Sequence, residues 1–262
     1  MQYGVCADPK LAPVLAEVGF DFIELHVQNH LKTMEDSAVF EPELARIKDS
    51  ALPALAANCF VPGSLKITGP AADRAALAAY AETAFARAQA AGIGTIVFGS
   101  GGARQIPDGF DRDAAWRQLV WFGQMIGPLA EGHDVTVVVE PLNKARGECN
   151  VLTSVGESAR YVKAVDHPNV RLLADTYHWG VDHDSFGELV TNVHLLHHVH
   201  IATVATRVPP GFQDCDFTGF LHALRLGGYD GPISIEARWD SIEEQAAAAH
   251  EALVGIVAAA GL

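Results

Sequence analysis

Four short apolar runs follow one another down the second half of the chain, and each ends on a residue that a buried strand does not normally carry. They are Thr136–Glu140 (TVVVE), Arg171–Asp175 (RLLAD), His197–His200 (HHVH) and Ile233–Glu236 (ISIE). The first three are rich in branched apolar residues, as buried parallel strands are. A buried carboxylate costs several kcal/mol unless a cation or hydrogen-bond donors compensate it. Glu140, Asp175, His200 and Glu236 converging without a cation would repel one another, and a divalent metal resolves that conflict. The pattern therefore reads as one metal site built on four consecutive strands.

Four further strand-like runs precede these, at Tyr3–Cys6, Phe22–Leu25, Ala54–Phe60 and Thr95–Phe98, giving eight in all. Ala-rich, helix-compatible stretches separate them, near Lys10–Val18, Pro42–Ser50, Asp73–Ala91, Asp111–Glu131, Ser154–Val165, Ser185–Leu195, Phe217–Leu226 and Ser241–Ala260, with Asp73, Ser154 and Ser241 as N-caps. Eight strands alternating with eight helices predict an α/β fold, a (β/α)8 TIM barrel forming a single domain over residues 1–262. All four ligand candidates then fall on the catalytic face. A doubly wound open sheet is the competing topology, but no Gly-x-Gly-x-x-Gly follows the first strand to hold a dinucleotide. Gly99–Gly102 (GSGG), after the fourth strand, is the nearest glycine-rich loop and reads first as a tight turn.

Composition narrows the partners. A formal charge of −14 disfavours nucleic acid and anionic membranes and leaves a small-molecule, sugar-like substrate. With no P-loop and only 18 Lys and Arg, a phosphorylated substrate is not expected. Neither a secretory signal nor a run approaching the roughly 20 apolar residues of a membrane span is present, so a cytoplasmic protein is expected. Cys6, Cys59, Cys149 and Cys215 read as scattered reduced thiols, Cys6 and Cys59 simply packing.

Oxygen and nitrogen ligands without thiolate suit Mg, Mn or Co, with Zn as a further candidate. A metal chelating two adjacent substrate oxygens acidifies the C–H between them and stabilises the resulting enediolate. Glu140 and Glu236, on strands at different sides of the barrel mouth, can address opposite faces of one carbon, which permits epimerisation as well as isomerisation. His178, three residues after Asp175, reaches the same pocket, and Arg207 offers a fixed donor fork.

Glu140–Asn143 (EPLN), Ala174–His178 (ADTYH), His198–Ile201 (HVHI) with Arg207 and Pro210-Gly211, and Gly228–Gly231 (GYDG) leading into Ser234–Glu236 together resemble the xylose isomerase-like sugar isomerase and epimerase superfamily, nearest its ketose 3-epimerase branch. The resemblance is strongest after residue 136. It implies that Glu140, Asp175, His200 and Glu236 bind the metal, that Glu140 and Glu236 are the acid/base pair, that His178 and Arg207 contact substrate oxygens, and that the protein is a homo-oligomer, a dimer or tetramer. One departure stands out. Where the epimerases carry a substrate-binding Glu six residues after the first metal Glu, this chain has Arg146, with Glu148 two places further on; either an insertion restores Glu148 to that role or the substrate differs.

Outside these motifs, His26 and His30 read as solvated loop residues, and Trp179 and Trp239 as sugar-stacking candidates, while Trp116 and Trp121 read as helix packing. His194, His197, His198 and His200 are too close for alternation to point them all inward. The expected activity is a metal-dependent sugar isomerase or epimerase working through a metal-bound enediolate. The alternatives are a lyase or dehydratase on a keto sugar, and an apurinic-endonuclease-like repair enzyme using Glu140, Asp175, His178, His200, Asp214 or Asp216, and Glu236. The absence of His near Phe60 and Phe98 and the negative charge weigh against the latter.

Overall fold

A computed structural model describes residues 1–262. Its eight parallel strands are β1 (Tyr3–Cys6), β2 (Phe22–His26), β3 (Ala54–Asn58), β4 (Thr95–Phe98), β5 (Thr136–Val139), β6 (Val170–Asp175), β7 (Leu196–Ile201) and β8 (Ile233–Ile235). They pair in chain order and close through β1 and β8, so the sheet has no free edge. The helices are α1 (Ala12–Val18), α2 (Ser37–Lys48), α3 (Arg74–Ala91), α4 (Gly101–Arg104), α5 (Arg112–Gly132), α6 (Val155–Val165), α7 (Thr176–Val181), α8 (Phe186–Asn192), α9 (Thr218–Leu226) and α10 (Ile242–Ala259). This is the expected α/β (β/α)8 barrel.

Local chemistry accounts for most element boundaries. Asp73, Ser154 and Ser241 cap α3, α6 and α10 by accepting backbone N–H groups of the first turn, as the sequence implies. Three pieces go beyond that reading. Helix α2 begins at Ser37, so Pro42 lies inside it and costs the helix one ladder hydrogen bond. Short helices α4 and α7 form directly after β4 and β6, and a π-helical turn at Val27–Leu31 follows β2. No helix is long and apolar enough to cross a membrane.

Strand alternation divides the barrel interior into layers. Val97, Val138 and Leu173 form a small buried cluster of their own, and each lies two residues before Gly99, Glu140 and Asp175 on its strand. At the base the Phe22 ring occupies the space a side chain on Gly4 would need, 2.3 Å from an ideal Cβ. On the β4–β6 side the interior is thus apolar below the mouth, whereas on the β7–β8 side the corresponding positions are the buried His198 and Ser234. The outer faces of the strands and the helices share one continuous apolar core.

Arg104, on α4, ties the mouth together. It is fully buried, donating from Nη1 to the Phe98 carbonyl (2.9 Å) and from Nη2 to the carbonyls of Glu140 (2.7 Å) and Leu152 (3.2 Å). One guanidinium therefore joins the ends of β4 and β5 to the segment leading into α6, and sets the backbone on which Glu140 sits. Arg104→Met would strand the Glu140 carbonyl, at about 1–3 kcal/mol for a buried group left unsatisfied, and leave the Phe98 and Leu152 carbonyls with only the N–H groups of Glu140 and Leu142. We expect urea denaturation to show a loss of about 1–3 kcal/mol; a loss below about 0.5 kcal/mol would refute this role.

Candidate active site

The four polar residues that close the apolar runs meet at the barrel mouth. Glu140, Asp175, His200 and Glu236 each offer a ligand atom, and these atoms all lie within 4.8 Å of one another. Asp175 and His200 are paired in register at the ends of β6 and β7, whereas Glu140 and Glu236 each stand one residue beyond their strands. Backbone bonds fix the latter two, Glu140 N–H to the Phe98 carbonyl and Glu236 N–H to the Ile201 carbonyl. Asp175 spends Oδ1 on capping α7 through Tyr177 N–H, which leaves Oδ2 for the cluster.

His200 sits at the centre. Its Nδ1 lies 3.2 Å from Glu140 Oε1 and 3.1 Å from Glu236 Oε2, and its Nε2 lies 2.9 Å from Glu24 Oε1. Arg207 approaches from the loop after β7, with Nη2 2.5 Å from Glu236 Oε2 and 3.5 Å from Asp175 Oδ2. Its backbone holds the left-handed conformation (φ 59°), uncommon for a side-chain-bearing residue. The Arg207 N–H donates to Thr203 and its carbonyl accepts from Arg238, which keeps it there. Asn58, at the end of β3, donates to Glu236 Oε1 (3.2 Å), so both Glu236 oxygens are held.

Electrostatics separates the two glutamates. Burial pushes both up, and Glu236's charge raises Glu140 further, against the partial relief of His200. At Glu236 the positive His200 and Arg207 outweigh burial and bring it down to about 2. Burial alone would lower His200, but Glu24 and Glu236 raise it well above the ordinary imidazole range. Without another cation, the site thus relies on His200 and Arg207 for its positive charge. Three buried carboxylates need more than that, and the donor set of three oxygens and one nitrogen fits a hard or borderline divalent ion.

His178 supplies a second indication of a ligand. Its Nδ1 accepts from the backbone N–H (3.0 Å) and side-chain amide (2.8 Å) of Asn143, which places the ring proton on Nε2. That Nε2–H is buried, has no partner, and lies 3.8 Å from Asp175 Oδ2 and 4.0 Å from Glu140 Oε1. A donor held in this way awaits an acceptor. It opens onto a cavity of about 250 Å³ lined by Glu140, Glu236, Arg207, Glu148, His26 and Asn58, among others.

Several expectations change here. Arg146 turns away from the cavity, stacks over the Tyr177 ring (5.2 Å) and donates to the carbonyls of Val204 and Ala205. Glu148 lines the cavity instead, taking hydrogen bonds from Asn143 (2.8 Å) and the Tyr177 hydroxyl (3.2 Å). His30 is not solvated: the π-helical turn folds it inward against Glu43 at 2.6 Å, while His26, the last residue of β2 and on the same face as Glu24, lines the mouth. Cys59 does not merely pack but faces the cavity, its thiol pushed up to about 12 by burial and the nearby carboxylates. Trp179 packs on Phe220, and neither it nor Trp239 lines the cavity. The Gly99–Gly102 turn is also cavity wall, and Gly99 is needed there, since a Cβ would lie 2.3 Å from Glu140 Oε2.

The sequence matches the family model of the xylose isomerase-like TIM barrel over residues 13–255. The chain belongs to that family. Among curated members of such barrels, it is 33% identical to the 3-dehydro-D-guloside 4-epimerase of Escherichia coli (strain K12) over 103 residues, 39% of this chain and 38% of that protein. It is 32% identical to the ketose 3-epimerase of Arthrobacter globiformis over 109 residues, 41% and 37% of the two chains. The matched region thus spans under two fifths of either relative's length. The crystal structure of D-allulose 3-epimerase from Methylomonas sp. in complex with D-allulose superposes with a TM-score of 0.82 at 20% identity, covering 97% of this chain and 96% of that one. At that identity the xylose isomerase-like barrel is the shared feature.

Glu24 and Asn58 lie outside the sequence motifs, and Asn143 and Tyr177 stand within them without an assigned role. Glu24 left one trace, a lone acidic residue at an inward position of an otherwise apolar run. The site's charge balance has a consequence for stability. Since Glu236 falls from an ordinary 4.5 to about 2, its ionised form stabilises the fold above about pH 4.5, and that contribution disappears as pH falls towards 2. In metal-free protein, stability from urea denaturation is expected to drop more steeply from about pH 4.5 down towards pH 2 for wild type than for Glu236→Gln; parallel curves would contradict the assignment.

Proposed function

We propose that this protein is a metal-dependent epimerase or isomerase of a monosaccharide or related keto sugar, moving a proton at a carbon beside a carbonyl. The observation carrying this reading is the pair of carboxylates, Glu140 beyond β5 and Glu236 beyond β8. They flank one imidazole and face one cavity from different sides of the barrel mouth. The curated relatives, a 4-epimerase and a 3-epimerase, act on keto sugars at different carbons and support the class without fixing the substrate.

Glu140, Asp175, His200 and Glu236 are the proposed ligands of the divalent ion, with Mn, Mg or Co suited to the donor set and Zn also compatible. When bound, the ion supplies positive charge against the negative charge that develops on substrate oxygens as the adjacent carbon loses its proton. Glu236, ionised and held through both oxygens by Arg207 and Asn58, takes the proton from one face. Glu140, on the opposite side of the mouth, delivers a proton to the other. His178 Nε2–H donates to a substrate oxygen, and Arg207 and Glu148 orient further hydroxyls. The cavity wall carries no cation besides Arg207, whose guanidinium already meets Glu236 and Asp175, which favours a neutral sugar over a phosphate ester.

The test is a set of ketoses, including D-fructose, D-tagatose and D-allulose, incubated with metal-loaded protein in deuterated water and followed by mass spectrometry and NMR. Wild type is expected to place a single solvent deuterium in substrate or epimer, with no loss of mass that would signal elimination. Glu140→Gln and Glu236→Gln should each reduce exchange by about 10²- to 10⁴-fold. Exchange at the wild-type rate in either variant would remove that glutamate from the acid/base pair.

A further inference from the structure

Glu24 is the most deeply buried acid in the barrel, its side chain wholly shielded from solvent, and its neighbours are two histidines. On β7, His198 and His200 are two residues apart and therefore share the inward face. Glu24 faces the same interior from β2, in register with Cys6 of β1. Each Glu24 oxygen meets one ring: Oε2 takes His198 Nε2 at 2.9 Å, and Oε1 takes His200 Nε2 at 2.9 Å. A carboxylate only accepts, so both rings carry a proton on Nε2.

We infer that Glu24 is a positioning residue, which fixes His200 with Nε2–H towards β2 and thereby presents its Nδ1 lone pair to the divalent ion. The inference rests on the reading of His200 as a ligand. An imidazole is a ligand only through an unprotonated nitrogen, and which nitrogen is free depends on the hydrogen bond made by the other. At His200 the other nitrogen is committed to a buried carboxylate, while Nδ1 lies within 3.2 Å of Glu140 and Glu236, among the remaining ligands. His198 completes the arrangement. Its Nδ1 is buried and without a partner, so its single polar contact is the one to Glu24. Its role is to hold the second Glu24 oxygen and stop the carboxylate from rotating away from His200.

Glu24→Gln tests this with little change of shape. A glutamine accepts through one atom and donates through the other, so it satisfies only one of the two Nε2–H groups and opposes the other. Zn²⁺ affinity is measured by competition with a chromophoric chelator on the full chain, alongside the melting temperature of the metal-free protein. In the zinc-loaded, ¹⁵N-histidine-labelled protein, NMR reads which His200 nitrogen carries the proton. The expected result is wild type with the His200 proton on Nε2, and Glu24→Gln with Zn²⁺ affinity about 10- to 100-fold weaker. If Glu24→Gln does not fold, His198→Leu removes one of the two bonds to Glu24 and should weaken Zn²⁺ in the same direction by a smaller factor. Wild type binding Zn²⁺ while the folded variant binds within twofold of it, or a His200 proton on Nδ1, overturns the positioning role alone. Wild type binding no Zn²⁺ overturns the ligand reading and this inference together.

Discussion

Three carboxylates and an imidazole whose ligand atoms lie within 4.8 Å of one another, at the mouth of a buried barrel interior, form the constraint around which the structure is organised. Like charges at that distance in a poorly solvated interior repel by several kcal/mol, and folding alone does not keep them there. The chain answers in layers. Arg207 and His200 supply positive charge, and Asn58 clamps Glu236. Gly99 leaves room for Glu140, and Arg104 pins the backbone beneath it. The apolar layer of Val97, Val138 and Leu173 closes the barrel just below. Removing any of these supports changes the geometry of the same four atoms.

Much of this arrangement was legible in the sequence, for a physical reason. A parallel strand buried on both faces is apolar throughout, so a charged residue at its end stands out. Glu140, Asp175, His200 and Glu236 were visible on those grounds. All eight strand-like runs became strands to within about two residues, and Asp73, Ser154 and Ser241 became the caps they resemble. Glu24 was harder to see. A single acid in a short apolar run names no partner by itself, and only barrel closure places it opposite β7.

Loops were less readable than strands. Glu148 rather than Arg146 faces the cavity because Asn143 and Tyr177 draw its carboxylate inward, while Tyr177 and two backbone carbonyls hold the Arg146 guanidinium outside. Both arrangements depend on residues from three separate strand–helix connections. The π-helical turn that buries His30 has no periodicity that separates it from an ordinary loop. Trp179 and Trp239 closely follow β6 and β8, yet a short helix and packing on Phe220 direct Trp179 elsewhere, and Trp239 lies outside the cavity. Spacing from a ligand does not determine where a bulky loop side chain points.

The central claim is that the acidic cluster exists to hold one divalent ion between the two glutamates. Anomalous diffraction from crystals grown or soaked with Mn²⁺, recorded on both sides of the manganese absorption edge, addresses it directly. The account predicts one strong peak coordinated by Glu140, Asp175, His200 through Nδ1, and Glu236, and its disappearance in Asp175→Asn. Well-ordered crystals with no peak there at saturating Mn²⁺, or with Arg207 still seated among the carboxylates and the ion bound elsewhere, would contradict it.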